Sequence, residues 1–482
     1  MKKAISILLA AAMTAGLTAC GGSGSSAPTT GAAPADKETQ AATTAPASAG
    51  SEAPESKTAP EGGVKVEYWH TMTGANETAI NAVVQKFNET VGKEKGIVVD
   101  CIFQGDDINE KLKTLYQAKD TANFPDCAMI TNTGIPSVKD YEQIVNADDL
   151  YAAGENIITN KEDLIPNTVR AASYQDKMIT MPFNASAILL YYNKDMFKEV
   201  GLDPEAPPTT IAEMADCISK LMQKNDKGEV TRYGLNVAVR RYQMANWIGM
   251  QGDYNFFGDN EGGRAGMMTK VTFGEDGTLK NYLTEWEKVV KTGGYKAVED
   301  NINEEFSMQL FGMAVMSSAR IGKITSLVGD TFEWGTAYLP KVSADDKGGV
   351  AVGGSSTVMF DRGNKDVLDA TWIFTQYLSS PEAQYDFCTA TGYIPVNNQT
   401  YELDEMKAFL KENDKFAVAC DELRSSNANV QEPFDIINWE IDSIIKDNME
   451  LFGNGDQDLQ TTHDNIVNEC NDKLATYVRA NQ

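Results

Sequence analysis

The sequence predicts an α/β protein with two doubly wound domains. Near its beginning, three strand-like runs at residues 64–68, 97–103 and 127–130 alternate with two helical patterns. This βαβαβ order predicts a parallel sheet, because parallel strands need long crossover connections such as helices. Strands and helices alternate again later, and 482 residues are enough for two domains of about 150–200 residues each plus a tail.

The two helical patterns define the predicted inner faces of the first two helices. Their apolar residues are Ile80, Val83, Val84, Phe87 and Val91 in the first helix, and Ile108, Leu112, Leu115 and Tyr116 in the second. Ligands of open α/β sheets bind at the carboxyl ends of the strands. Here those ends are residues 69–74, 105–107 and 131–134, so we expect a ligand site to include them.

The stretch 180–210 organises the middle of the chain. An apolar run at residues 187–192 predicts a strand, and Gly201 ends the short helical turn that follows it. Thr210 and Glu213 form a T-x-x-E capping box, which predicts the start of a longer helix.

The second half of the chain continues this alternation. We predict strands at residues 233–239, 313–316 and 350–360, and helices at residues 283–290, 306–311 and 367–378. The last predicted helix carries its apolar residues on one face: Leu459, Ile466, Val467, Cys470, Leu474 and Tyr477.

The N-terminus indicates export. Residues 1–20 combine two lysines, an apolar segment and small residues, a pattern typical of a secretory signal peptide. The segment ends in L-T-A-C, which resembles the lipobox of bacterial lipoproteins and predicts lipid modification of Cys20. Residues 21–63 contain no aromatic residue, so we expect a disordered tether. The protein is therefore expected to be exported and lipid-anchored to the outer face of the bacterial cell membrane.

Composition excludes several classes of function. The net charge is −27, which argues against nucleic acids and anionic membrane surfaces as partners. No later run reaches the ~18 apolar residues of a membrane span. Beyond Cys20, the cysteines match no zinc pattern, so we expect buried thiols, although export also permits disulfides. We expect no metal and no cofactor. These cysteines are Cys101, Cys127, Cys217, Cys388, Cys420 and Cys470.

Four motifs resemble those of a known family. P-F-N-A-S at residues 182–186 and Y-Y-N-K-D at residues 191–195 are similar to the segments where this family crosses between its domains. G-G-S-S starts at Gly353 and T-G-Y-I-P starts at Thr391. Over most of residues 64–477, the chain resembles the extracellular solute-binding proteins (family 1) of ABC importers. It is most similar to their sugar-binding and glycerol-3-phosphate-binding members.

The resemblance implies a periplasmic-binding-protein fold of type II, in which two lobes close on a ligand like a Venus flytrap. It places the N-terminal lobe at residues 64–182 and 341–391, and the C-terminal lobe at residues 186–333 and 396–482. Hinges are expected near residues 183–185, 334–340 and 392–395. The implied function is capture of a small polar solute by a monomer that delivers it to the transmembrane subunits of an ABC permease.

The family's binding residues map onto this chain through its motifs. The serine of P-F-N-x-S is Ser186, the tyrosine of T-G-Y-x-P is Tyr393, and G-G-x-S begins at Gly353 and ends at Ser356, or at Ser355 one place earlier. Polar and aromatic residues at the strand ends complete the site. The expected ligand-binding residues are Trp69, His70, Asp107, Asn132, Asn184, Ser186, Arg240, Tyr242, Trp247, Ser317, Ser318, Gly354, Ser355 and Tyr393.

The chain departs from the glycerol-3-phosphate branch where that branch contacts its ligand. The branch's tyrosine falls at Asp107, its acidic residue at Asn132, and its paired tryptophans near residues 237 and 240–241. Its late arginine, which contacts phosphate, falls near Pro433, and the nearest arginine here is Arg424.

Two ligand classes follow from these departures. Asp107, Asn132 and Asn184 favour a hydroxyl-rich ligand, so a sugar or short oligosaccharide is expected first. Glycerol-3-phosphate or a glycerophosphodiester is second, because arginines can bind an anionic group through two parallel hydrogen bonds. The candidate arginines are Arg240, Arg241 and Arg320.

Two other classes of function remain as alternatives. The acidic pairs at residues 304–305 and 106–107 provide carboxylates for glycoside hydrolysis, which would make the protein a surface glycan-active enzyme. A structural or adhesive lipoprotein would bind no small molecule. The chain has only two histidines and lacks G-x-S-x-G and Walker A motifs, so we favour a binding protein without enzymatic activity.

Overall fold

The computed structural model describes residues 62–105, 108–298 and 301–480. Its strands are β1 Val64–His70, β2 Ile97–Phe103, β3 Cys127–Thr131, β4 Ile144–Val145, β5 Ser173–Tyr174, β6 Lys177–Met178, β7 Met181–Ser186, β8 Ile188–Asn193, β9 Gln223–Lys224, β10 Val230–Asn236, β11 Tyr295–Lys296, β12 Phe311–Ser317, β13 Trp334–Tyr338 and β14 Gly353–Phe360.

The α-helices connect and cover these strands. They are α1 Gly74–Glu89, α2 Val91–Lys95, α3 Ile108–Ala118, α4 Ile135–Val138, α5 Ala147–Ala153, α6 Pro166–Ala171, α7 Lys194–Glu199, α8 Ile211–Leu221, α9 Arg241–Gly249, α10 Asp259–Gly263, α11 Thr278–Lys291, α12 Ile302–Ser307, α13 Ile321–Val328, α14 Lys365–Leu378, α15 Pro381–Thr391, α16 Asp404–Glu412, α17 Asp414–Ser425, α18 Asn438–Asn454 and α19 Leu459–Ala480. Short 3₁₀ helices occupy Thr121–Asn123, Asn132–Gly134, Lys161–Asp163, Ser318–Arg320 and Asn398–Glu402.

The first sheet contains the predicted βαβαβ unit. β1 pairs in parallel with β2 and β3, and the strand order is β2-β1-β3-β14-β4. β14 runs antiparallel to β3, β4 and β7. Side chains of α1 and α14 pack with Tyr68 on one face of β1, whereas α3 packs with Trp69 on the other. The doubly wound arrangement predicted for this part is confirmed, and we call it the first lobe.

The second sheet forms a second α/β unit, the second lobe. Its strand order is β11-β10-β12-β8-β13, with β9 beside β10. β10 is parallel to β11 and β12, and β8 is antiparallel to both of its neighbours. The predicted cap of α8 is present, because Thr210 Oγ1 accepts from the Glu213 N–H at 3.2 Å. The Glu213 carboxylate accepts a hydrogen bond from the Thr209 N–H at 2.8 Å, whereas a capping box would have it accept from the N–H of Thr210.

One predicted helix ends earlier than expected. The prediction of a helix through residues 306–311 is wrong, because α12 ends at Ser307 and Phe311 already belongs to β12. Gln309 has a φ of 62°, which interrupts the helix with a left-handed residue. The apolar run that follows is buried between β8 and β10, where strand pairing satisfies its backbone.

The second passage of the chain between the lobes lies later than predicted. The N-terminal lobe was expected to resume at residue 341, but the carbonyl of Lys341 accepts from the Ile211 N–H of the second lobe at 2.8 Å. Gly348 likewise donates to the carbonyl of Met250 at 3.1 Å. The chain joins the first sheet only at Gly353, because these hydrogen bonds hold the preceding segment on the second lobe.

The third passage is also displaced. The C-terminal lobe was expected to resume at residue 396, but the carbonyl of Val396 accepts from the Ile165 N–H of the first lobe at 2.8 Å. Contact with the second sheet follows at Lys415, whose carbonyl accepts from Thr336 Oγ1 at 3.1 Å. The segment from α15 to the 3₁₀ helix Asn398–Glu402 therefore packs with the first lobe.

Two expectations from composition concern the state of the cysteines and the presence of membrane-spanning helices. Five cysteines are buried thiols, as expected, and Cys101 is half-buried; the five are Cys127, Cys217, Cys388, Cys420 and Cys470. Within the described ranges, no helix is both long enough and apolar enough to cross a membrane.

Candidate functional site

The first passage between the sheets consists of a single residue, Ala187. β7 ends at Ser186 and β8 begins at Ile188. The N–H of Ala187 donates to Ser318 Oγ at 3.1 Å, and its carbonyl accepts from the Ser318 N–H at 2.7 Å. Ala187 and Ser318 are both fully buried, so water does not compete for these two bonds. The predicted site residue Ser318 thus fixes the passage itself.

Gly353 and Gly354 allow close packing beside this passage. A Cβ atom at Gly353 would lie 2.6 Å from Ser186 Oγ and 3.2 Å from Tyr242 Oη. At Gly354, φ is 109° and a Cβ would lie 2.4 Å from the carbonyl oxygen of Asn184, so only glycine fits. We call the two glycines with Asn184, Ser186 and Tyr242 the glycine cradle. It joins the lobes, because Tyr242 belongs to α9 and the other residues to the first sheet.

Several polar atoms around the cradle retain unused hydrogen-bonding capacity. Tyr242 Oη, Asn184 Nδ2 and His70 Nδ1 are buried without a hydrogen-bond partner among the described residues. The amide oxygen of Asn184 does have a partner, because Oδ1 accepts a hydrogen bond from the Ser355 N–H at 2.9 Å. Buried polar groups in native proteins are nearly always hydrogen-bonded to protein, water or ligand. These groups are therefore available to a polar ligand.

The arginines at the start of α9 are bound to carboxylates. Arg241 Nη1 lies 3.3 Å from Glu432 Oε2, and Arg241 Nη2 lies 3.2 Å from Asp435 Oδ2. Burial opposes the charge of Arg241, but the two carboxylates outweigh burial and raise its pKa. Arg240 Nε donates to Asp442 Oδ2 at 2.9 Å. Both side chains therefore have anionic partners within the protein.

Arg264 connects the second lobe to the first. Its Nη2 donates to the carbonyl of Glu432 at 3.0 Å, and its guanidinium lies 3.6 Å from the ring centroid of Phe434. Burial lowers the pKa of Arg264 to about 9, and the neighbouring positive charge of Arg170 contributes to this shift. Its Nη1 donates to carbonyl groups of the first lobe, those of Arg170, Ala171 and Ser173, at 3.3–3.4 Å.

Most of the predicted ligand-binding residues gather around the passage. Besides the cradle residues and Ser318, Ser355 pairs with Asn184 across the sheet. The segment that carries Tyr393 is joined to β7, because Ile394 bridges to Ala185. His70 and Asn132 lie at the carboxyl ends of β1 and β3.

Two predicted aromatic residues lie in the cores instead of the cleft, which corrects the expectation for both. Trp69 is only 4% exposed, packs with α3 and donates from Nε1 to Glu67 Oε1 at 2.6 Å. Its neighbours Tyr68 and His70 point to the opposite face of the strand. Trp247 is fully buried, donates from Nε1 to the Pro340 carbonyl at 3.0 Å, and stacks on Tyr282.

The remaining predicted residues have other local roles or cannot be placed. Ser317 accepts the Ala319 N–H through its Oγ at 3.3 Å and so caps the 3₁₀ helix after β12. Arg240 is held by Asp442, as described above. Asp107 and Cys20 lie outside the described residues.

Sequence reasoning missed the acidic residues opposite Arg241. Glu432 and Asp435 follow Arg241 by 191 and 194 residues, so no local pattern connects them. With 69 acidic residues in the chain, neither was distinctive in the sequence. Among the described residues, no three His, Cys, Asp or Glu side chains come together in a way that could hold a metal ion.

Two α/β lobes joined by three passages, with a polar cradle beside the first passage, define a two-lobed binding protein. The family model of bacterial extracellular solute-binding proteins matches residues 82–416. The chain belongs to this family.

Among curated proteins, the chain is similar to sn-glycerol-3-phosphate-binding periplasmic proteins named UgpB. The protein of Salmonella typhimurium strain LT2 is 26% identical over 358 residues, which are 72% of this chain and 78% of the relative. The protein of Escherichia coli strain K12 is 24% identical over 357 residues, with the same coverage of both chains.

Solved structures share the fold at low sequence identity. The cyclic α-maltosyl-1,6-maltose binding protein of Arthrobacter globiformis has a TM-score of 0.69 and 18% identity, covering 86% of this chain and 100% of that chain. UgpB of Mycobacterium tuberculosis, solved with glycerophosphocholine, has a TM-score of 0.67 and 19% identity, covering 87% and 99%. The fold is therefore the two-lobed type II fold of periplasmic binding proteins, as predicted.

His70 should make stability depend on pH. Burial lowers its pKa from 6.5 to about 4, so in this range the unfolded state binds more protons than the native state. The free energy of unfolding should therefore fall by about 3 kcal/mol, through His70 alone, as the pH falls from about 6.5 to about 4. We expect the variant His70→Gln to lack this loss, as measured by urea unfolding at pH 7 and pH 4.5.

The wild type is the control for this experiment. Equal loss of stability in wild type and His70→Gln would contradict the account of His70, because all other titrating groups are common to both proteins.

Proposed function

We propose that this protein is the solute-binding component of an ABC importer and captures a sugar or short oligosaccharide between its lobes. The observation that carries the proposal is the glycine cradle. There, Tyr242 Oη and Asn184 Nδ2 are buried without partners among the described residues, beside two glycines whose missing Cβ atoms let the backbone approach these side chains closely. A sugar hydroxyl both donates and accepts hydrogen bonds, so it suits such a mixture of groups.

Capture requires the lobes to move about their passages. Ala187 and Ser318 hold the first passage, and Arg264 holds the lobes together at a second place. Closure around a ligand is a hinge motion in which few residues change their backbone angles. The closed form is the one that the permease subunits recognise, and the protein acts as a monomer.

Glycerol-3-phosphate or a glycerophosphodiester is the second candidate ligand. It is favoured by the similarity to UgpB proteins, which are named for glycerol-3-phosphate binding. Of the three arginines that were expected to bind its phosphate, Arg240 and Arg241 are already bound to carboxylates. The third, Arg320, donates from Nη1 to Asn303 Oδ1 at 3.2 Å. The sugar therefore remains the first candidate.

The protein performs no chemistry in this proposal. In the acidic pair considered for glycoside hydrolysis, Glu304 Oε1 lies 2.7 Å from Lys323 Nζ and Glu305 Oε2 lies 2.7 Å from Lys296 Nζ. The hydrogen bond from Lys323 lowers the pKa of Glu304. A glycosidase needs a general acid with a raised pKa, so this pair does not favour an enzyme.

The lipid anchor completes the proposal. Export and lipid modification at Cys20 would hold the protein at the outer face of the cell membrane, beside the permease, through a tether at residues 21–63. We expect the Cys20→Ser variant to leave the membrane fraction of the producing bacteria. Its retention there would contradict the anchor and leave the binding function unaffected.

Tyr242 provides the direct test of the site. Thermal shift of the purified protein against neutral mono- and oligosaccharides, glycerol phosphates and their diesters should identify a ligand, because binding stabilises the native state. For a neutral sugar found in this way, Tyr242→Phe should raise the Kd measured by calorimetry by about 5- to 30-fold. The reason is that one hydrogen bond to the sugar in a dry cleft is lost.

The matched control is Tyr254→Phe, at an exposed tyrosine of the second lobe, which should leave Kd unchanged. Unchanged binding by Tyr242→Phe would place the solute elsewhere. Failure of every sugar and every phosphate in the panel to bind would contradict the proposed function and favour a structural lipoprotein.

A further inference from the structure

Three arginines near the cradle already have partners within the protein. Arg241 is shared by Glu432 and Asp435, and Arg240 is bound to Asp442. The guanidinium of Arg264 donates to backbone carbonyls. An anionic solute that used Arg240 or Arg241 would have to displace a carboxylate before it gained a guanidinium partner. The desolvation cost of its charge would then be poorly compensated.

Glu432 is the carboxylate at this place that keeps an oxygen available. Its Oε2 contacts Arg241, whereas its Oε1 accepts no hydrogen bond from any described residue. Asp435 differs, because its side chain is only 2% exposed and its Oδ1 is enclosed by protein. The side chain of Glu432 is 16% exposed and so less enclosed than that of Asp435.

The position of Glu432 places this oxygen at the boundary between the lobes. Its own carbonyl accepts from Arg264, and the neighbouring Gln431 donates from Nε2 to the carbonyl of Asn167 in the first lobe at 2.9 Å. The Oε2 atom of Glu432 lies 3.3 Å from Nη1 of Arg241, the residue that precedes the cradle residue Tyr242 in α9. The carboxylate is therefore held at the start of the helix that carries Tyr242.

We propose that Glu432 determines the charge specificity of the cleft, accepting hydroxyl groups of an uncharged sugar and repelling anionic solutes. This inference rests on the proposed function. A carboxylate oxygen accepts a hydrogen bond from a sugar hydroxyl, whereas it repels the carboxylate or phosphate of an acidic sugar. Specificity of this kind comes from the repulsive element as much as from the attractive one.

The test compares a neutral sugar with its uronic acid, which differs by a carboxylate in place of a hydroxymethyl group. Calorimetry on the purified protein should give a Kd for the neutral sugar at least ~10-fold lower than for the uronic acid. In the variant Glu432→Gln, which keeps the shape of the side chain, binding of the uronic acid should improve. The ratio of the two Kd values should then fall to about threefold or less.

Asp435→Asn is the matched control. It also removes one carboxylate from Arg241, but it leaves Glu432 in place, so a general effect of weakening this ion pair would appear in both variants. We expect Asp435→Asn to keep the wild-type ratio of the two Kd values, and circular dichroism of both variants checks that they are folded.

The outcomes separate the inference from the proposed function. If the neutral sugar and the uronic acid bind the wild type equally, or if Glu432→Gln leaves their ratio unchanged, the inference is overturned and sugar capture stands. If Asp435→Asn changes the ratio as much as Glu432→Gln does, the specificity belongs to the ion-pair network instead. If only glycerol phosphates bind, both sugar capture and the inference are overturned.

Discussion

The structure depends on the passage of the chain through Ala187. One residue separates the first sheet from the second, so the two sheets are held close together at this point. The backbone of Ala187 is bound on both sides by Ser318, which comes from the end of β12 in the second lobe. Because the passage is short and its hydrogen bonds are buried, it sets the distance between β7 and the residues that face it. The glycine cradle follows from this closeness: Gly353 pairs with Ser186, and Tyr242 reaches both from the other lobe.

The boundary between the lobes is otherwise polar and closely paired. Arg241 binds two carboxylates, and Arg264 is surrounded by four carbonyl groups. Buried charges are costly unless they are paired and hydrogen-bonded, so these contacts leave few charged atoms for a ligand. Among the described residues, the polar atoms that remain available include neutral groups of Tyr242 and Asn184 and a carboxylate oxygen of Glu432. This chemistry suits hydroxyl groups better than phosphate.

Local patterns predicted the elements of the first lobe and the start of α8. Periodicity sufficed there because each helix and strand buries one side of its own segment, as Phe87 and Leu112 do. The cradle was accessible through the motifs at residues 182–186 and 353–356, although its geometry was not. Trp69 was misplaced because helices cover both faces of β1, so an apolar side chain on either face looks alike in the sequence. Glu432 was missed because its partner Arg241 is distant in the chain. The two later passages were misplaced because long-range hydrogen bonds hold Lys341 on the second lobe and Val396 on the first.

The central claim is that the solute binds at the glycine cradle, and hydrogen exchange with the best-binding sugar tests it most directly. The molecule offers another concave surface, a groove of about 690 Å³ beside β13 that is lined by residues including Tyr192, Pro207, Tyr338 and Leu339. If the solute binds at the cradle, the sugar should slow amide exchange in peptides that contain residues 184–187, 240–243 and 353–355. Slower exchange confined to peptides around residues 205–209 and 335–341 would place the solute in the groove and contradict the central claim.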